Sequence, residues 1–173
     1  MEKQTETTYP DLANLVRGTV LTACINLELI MDIYIAEQFC DSKDDVNELC
    51  SLIITPRVPW REKLEIFKVL ISKNSENFKI KNTNFYKDIL NIIDHRNVFA
   101  HFPANISKAG LDEYNESGRM MFHKFKTFTD SKTKEVEHSR IPFYTSQVID
   151  NIISNCNFYI LEIKEVLKIS ANI

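Results

Sequence analysis

The sequence predicts a mainly α-helical protein, a bundle of about five helices with one small β-hairpin inserted before the last helix. Three observations predict it. Glycine and proline are scarce, 3 and 5 in 173 residues, so few turns are encoded. Apolar residues recur along most of the chain at the i, i+3, i+4, i+7 spacing of a helix face. Alternation of the strand type is confined to residues 119–143. The length suits one domain, residues 1–173, with enough chain to bury a sizeable core.

Residues 1–10 are a polar lead expected to fray. Asp11 can cap a long first helix running to Phe39 or Cys40. Leu12, Val16, Val20, Ala23, Leu27, Met31 and Tyr34 mark one side of it, and Leu21, Ile25, Ala36 and Phe39 the other. Thr19, Thr22, Asn26 and Glu37 leave only a narrow wet edge, so this helix is central in a bundle or covered by a second subunit. Ser42, followed by Asp44 and Asp45, starts a second helix through Leu49, Leu52 and Ile53, which Thr55-Pro56 stops. Pro59 sits at the first turn of a third helix carrying Leu64, Phe67, Leu70 and Ile71, with Trp60 as its packing anchor.

Residues 73–83 are polar and asparagine-rich and read as a loop. Asn82 or Thr83 caps the fourth helix. Its apolar face carries Phe85, Tyr86, Ile89, Leu90, Ile92, Ile93, Phe99 and Ala100. Pro103 cannot continue that helix. Residues 103–118 read as an exposed loop with at most one helical turn. Met121–Phe128 and Val136–Phe143 then read as a hairpin whose polar face is basic. Thr145 caps a last helix through Val148, Ile152, Cys156, Tyr159, Ile163, Val166 and Leu167.

Composition narrows the functional classes. The formal net charge of -3 argues against a broad, sequence-independent nucleic-acid surface but leaves room for a small basic site. Residues 1–50 hold ten acids against Lys3, Arg17 and Lys43, whereas Lys124, Lys126 and their neighbours make the hairpin basic. Cys24, Cys40, Cys50 and Cys156 form no C-x-x-C pair, and Cys24 and Cys156 read as small core residues. The acidic, polar start carries no secretory signal, and no apolar run of about twenty residues is free of charge. A cytoplasmic protein with reduced thiols and no membrane span is expected.

The chemistry-bearing residues gather at the end of the fourth helix. Nucleotide-binding loops and the serine nucleophile elbow are absent, and the four histidines lack metal-ligand spacing. Arg96 falls between Ile92 and Ile89 on the apolar face, and Asn97 falls beside Leu90. An unpaired buried cation costs several kcal/mol, so Arg96 needs a partner, a ligand or a wet seam. Glu28 and Asp32, one turn apart on the first helix, are its candidate partners, with a solvated edge as the alternative. His95 points to the polar side of its helix, and His101 closes that helix two residues before Pro103.

Arginine binds phosphate bidentately, histidine moves protons near neutral pH, and asparagine can orient either. These are the groups needed to cleave RNA without a metal: a base for the 2′-hydroxyl, a cation for the phosphoryl oxygens, and an acid for the leaving oxygen. One histidine per chain leaves one of those roles empty, and a symmetric dimer would fill it. On a continuous helix Arg96 and His101 point about 140° apart. Convergence therefore needs a helix end that relaxes at His101, or a second chain. Lys124 and Lys126 could steer phosphate, although a charge run is more often a solvated face. His123 and His138 read as surface residues.

Arg96-Asn97-x-x-Ala100-His101 resembles the R-x4-6-H motif of the HEPN superfamily (higher eukaryotes and prokaryotes nucleotide-binding domains). The surroundings are similar too: a long first helix bearing an acid, then a helix ending in Arg-Asn-x-x-Ala-His. The likeness spans most of the chain as a helix order, while specific residues cover about 92–103. It implies a metal-independent endoribonuclease without cofactor, of the kind found as toxins and defence effectors. His101 would be the general acid/base, Arg96 the scissile-phosphate ligand and Asn97 the orienting residue. The implied partners are RNA, a second copy of the chain, and an antitoxin or regulatory protein. The hairpin at 119–143 departs from the minimal helical unit. Other relatives of that superfamily keep the fold without catalysis, so a nucleotide-binding or protein-interaction module is the alternative.

Overall fold

Thr8 and Asp11 start the first helix together. The Thr8 hydroxyl donates to Asp11 Oδ2 at 2.6 Å, and the Asp11 N–H donates back to Thr8 Oγ1 at 3.4 Å. This is the reciprocal logic of a capping box, so Thr8 is the cap and Asp11 lies in the first turn. The computed structural model describes residues 8–73, 84–122 and 143–170. They are mostly helical, with one small antiparallel two-stranded sheet. In order they form α1 (Tyr9–Glu37), α2 (Lys43–Leu49), a π-helical turn (Cys50–Ile54), α3 (Thr55–Arg57), α4 (Trp60–Lys73) and α5 (Phe85–His101). Then come α6 (Lys108–Ser117), β1 (Met120–Met121), β2 (Phe143–Tyr144) and α7 (Ser146–Ser170). The chain divides into two compact units, one of residues 1–21 and 95–152, the other of residues 22–94 and 153–173.

In the second unit an aromatic chain forms the core. Phe67 lies 4.8 Å from Tyr34 and 5.7 Å from Phe85, and Phe85 meets Tyr159 edge-on at 4.9 Å, all centroid to centroid. Burying each phenylalanine contributes up to about 3 kcal/mol. Ser42 caps α2 by accepting the Asp45 N–H at 3.1 Å. The proline at 56 does not end the helical path, which runs on to Arg57. The π turn before it has already shifted the bonding, with the Thr55 N–H reaching the Cys50 carbonyl, so the missing proline donor interrupts little. The extra residue also rephases the face. Cys50 and Ile54 are buried, while Leu52 and Ile53, expected inside, are exposed.

The first unit is built on Phe99, Phe122 and Tyr144, whose rings meet pairwise at 4.7 to 5.5 Å. β1 and β2 pair as Met120↔Tyr144 and Met121↔Phe143, the antiparallel register expected of the two ends of a hairpin. The rest of the expected hairpin, with Lys124, Lys126, His123 and His138, lies outside the described residues, as does the loop expected at 73–83 apart from Lys73, which ends α4.

Residues 103–118 differ from the sequence expectation, because ten of them form α6. Ser107 caps it by accepting the Gly110 N–H, and Gly118, at φ 67°, closes it in the left-handed conformation. Gly110 inside the helix is required by packing. A Cβ there would overlap the Asn105 carbonyl. Asn105 is itself buried, its N–H donating to the Met121 carbonyl at 2.8 Å and its Oδ1 accepting the Ser107 N–H at 3.1 Å.

By length and composition α1 could cross a membrane. Against that, Cys24, Leu27, Met31, Tyr34 and Ala36 along it are buried in the fold, and so is the charged Asp32. Those features suit a core helix.

Candidate functional site

Arg96, Asn97 and His101 all lie on the last turns of α5, within the first unit. Arg96 and Asn97 are half-buried, and Arg96 Nη1 donates to Asn97 Oδ1 at 3.2 Å. Among the described residues no carboxylate lies within ion-pair distance of Arg96. His101 is exposed. The Phe102 N–H donates to the Val98 carbonyl at 2.9 Å, an ordinary i→i−4 bond that keeps the helix regular through His101. The helix end therefore does not relax, and within one chain Arg96 and His101 stay about 140° apart.

Glu28 and Asp32 hold a different cation from the one expected. Lys63, on α4, places Nζ 2.7 Å from Glu28 Oε1 and 2.9 Å from Asp32 Oδ2. Asp32 Oδ2 also accepts the Thr55 hydroxyl at 2.8 Å. Lys63 and Asp32 are fully buried. Burial pushes the Asp32 carboxyl above the usual range, against the opposing pull of Lys63 and Thr55. Trp60, Lys63, Leu64 and Phe67 share the buried face of α4 at i, i+3, i+4, i+7, so the signal for Lys63 was its place on the apolar face of that helix.

Two further residues reach the α5 end. Arg17, half-buried on α1, donates from Nη2 to the Ala100 carbonyl at 2.7 Å. A cation at a helix C-terminus satisfies an orphan carbonyl and the dipole together. Its signal in the sequence was a lone basic residue inside an apolar helix. His95, expected to be solvated, is half-buried, with Nδ1 3.0 Å from the Tyr144 hydroxyl. Burial pushes the Tyr144 phenol up to about 12, so it stays protonated and can donate to Nδ1.

Comparison with family models, with curated proteins and with solved structures gives no match. The chemistry rests on the residues alone. The end of α5 offers one guanidinium beside an amide, a second guanidinium on the adjoining carbonyl, and an exposed imidazole one residue further on. Such a set can hold an anion and move a proton. Among the described residues no three His, Cys, Asp or Glu side chains gather as a metal-ligand set.

Proposed function

We propose that the chain is a HEPN-type, metal-independent endoribonuclease that works as a homodimer in the cytoplasm, as a toxin or defence effector. The observation that carries the reading is the Arg96–Asn97 pair and the exposed His101 together at the C-terminal end of α5. In this reading His101 exchanges protons with the 2′-hydroxyl or the leaving oxygen, Arg96 holds the scissile phosphate, and Asn97 orients the guanidinium.

The regular helix end sends Arg96 and His101 in different directions, so the site is completed by a second copy, whose His101 meets this chain's Arg96 and moves the proton there. The surface of α1 supports pairing. Leu15, Thr22, Ile25 and Leu29 are exposed at i, i+7, i+10 and i+14, the spacing of a helix–helix seam. The same divergence of Arg96 and His101 favours a non-catalytic nucleotide-binding or protein-interaction module if the chain stays a monomer.

The test is RNA cleavage in excess EDTA by wild type and by His101→Ala, each shown to be folded. Cleavage by wild type only assigns the chemistry to His101. Equal cleavage by both places the activity elsewhere. Failure of the wild type on a broad RNA panel moves the module reading ahead.

A further inference from the structure

The first unit contains a cleft of about 270 Å³ that the chemistry above does not use. Its apolar wall is Val16, Met120 and Ile149, its aromatic wall is Tyr114 and Tyr144, and Asp150 is its charged group. The aromatic wall is held from behind. Tyr114 packs on Tyr9 at 5.0 Å, and Tyr144 is fixed by Phe99, Phe122 and its contact with His95. A cleft whose walls are already immobilised loses little freedom when a ligand enters. Asp150 is exposed, and among the described residues its carboxylate has no hydrogen-bond or ion-pair partner.

The lining selects a ligand class. The volume lies just below the roughly 300–1,000 Å³ of drug-sized sites, so it suits a single ring system. Apolar and aromatic walls suit a flat ring, and every nucleobase has a π-face. A carboxylate only accepts hydrogen bonds and repels phosphate, so the ligand must present donors and the phosphate must lie outside. Two carboxylate oxygens are best matched by two adjacent donors. Guanine carries N1–H beside its N2 amino group. Adenine and cytosine present a single amino group next to a ring acceptor, and uracil sets its one N–H between two carbonyls that face the carboxylate.

We propose that this cleft is the base-specificity pocket of the nuclease: it takes a guanine of the RNA, with Asp150 accepting from N1–H and the N2 amino group. The inference rests on the ribonuclease reading. Two links join cleft and site. Val16 lines the cleft, and Arg17, next on α1, reaches the α5 end at Ala100. Tyr144 lines the cleft and meets His95, the residue before Arg96.

The test titrates the full chain with guanosine, inosine, adenosine, cytidine and uridine, following the methyl NMR signals of Val16, Met120 and Ile149. Guanosine shifts them, inosine binds more weakly for want of the amino group, and the other three leave them unmoved. Asp150→Asn, checked by thermal denaturation for an intact fold, replaces one acceptor by a donor and weakens guanosine about tenfold or more. The proposal is overturned if no nucleoside moves those signals, if all five move them alike, or if Asp150→Asn binds guanosine as the wild type does. Binding needs no turnover, so the two readings fail separately. A chain that binds guanosine and cuts no RNA retains the pocket and loses the nuclease. A chain that cuts RNA without binding guanosine retains the nuclease and loses the pocket.

Discussion

Replacing Lys63 by methionine isolates the buried charge cluster of the second unit. Lys63 Nζ is buried between Glu28 Oε1 and Asp32 Oδ2, at 2.7 and 2.9 Å. Methionine fills nearly the same space without the charge, so the loss is electrostatic. Glu28 keeps some contact with water, whereas Asp32 keeps none and retains only the Thr55 hydroxyl. Removing one partner of a buried pair costs about 3–5 kcal/mol. At roughly 2–4 °C per kcal/mol for a chain of this size, Tm should fall by roughly 10 °C in a thermal melt.

The pH dependence has a definite sign. Burial already raises the Asp32 carboxyl in the native state, so the native chain binds its proton more tightly than the unfolded one. Stability from this group is full below the unfolded carboxylate value of about 3.9 and is lost as pH rises through the raised native value. Without Lys63 the native value rises further, so the variant's deficit at pH 7 should shrink as Asp32 is protonated in acid. The Lys63→Met, Asp32→Leu double variant removes the two fully buried charges and leaves only Glu28, which keeps some contact with water, so it should recover most of the stability. A single-variant cost under about 1 kcal/mol, or a double variant no better than the single, would show that Lys63 does not neutralise a buried carboxylate there.

Other outcomes follow from the same geometry. Gly110→Ala drives a Cβ into the Asn105 carbonyl and should cost about 2 kcal/mol or more, read by urea denaturation. Arg17→Met removes the bond to the Ala100 carbonyl. It should cost about 1–2 kcal/mol and speed hydrogen exchange at the Phe102 amide on the same turn. The Cys156 thiol is pushed far up, first by its contact with Cys24 and then by burial. In the native protein at pH 8 a thiol reagent should therefore modify Cys40, the one cysteine not buried, and reach the other three only on unfolding.

What the sequence made legible was mostly local. Ser42 and Thr145 cap the helices they were expected to cap, since capping needs only a side-chain oxygen and an N–H three residues on. Cys24 and Cys156 are buried, as their places in the apolar pattern required. The missed features depend on distant partners. The Gly110 position reads as loop until the Asn105 carbonyl it must admit is known. His95 reads as solvated until Tyr144 arrives from β2. For the candidate site, the sequence located Arg96, Asn97 and His101 at one helix end. It missed Arg17, whose role depends on a carbonyl 83 residues away. Glu28 and Asp32 were expected to face Arg96, with a solvated edge as the alternative; they hold Lys63 instead, because periodicity cannot tell one distant cation from another.

A composite site shared by two copies of one chain can be tested by mixing two defective variants. Arg96→Ala and His101→Ala are each assayed for RNA cleavage in EDTA, alone and after co-refolding as a mixture. Alone, each lacks one essential group in every site. Random pairing makes half of the dimers mixed, and one of their two composite sites then holds both an intact Arg96 and an intact His101. Both variants should be inactive alone, and the mixture should recover up to about one quarter of the wild-type rate. A mixture that stays inactive beside an active wild type would contradict the shared site, and cleavage by either variant alone at the wild-type rate would contradict the residue assignment.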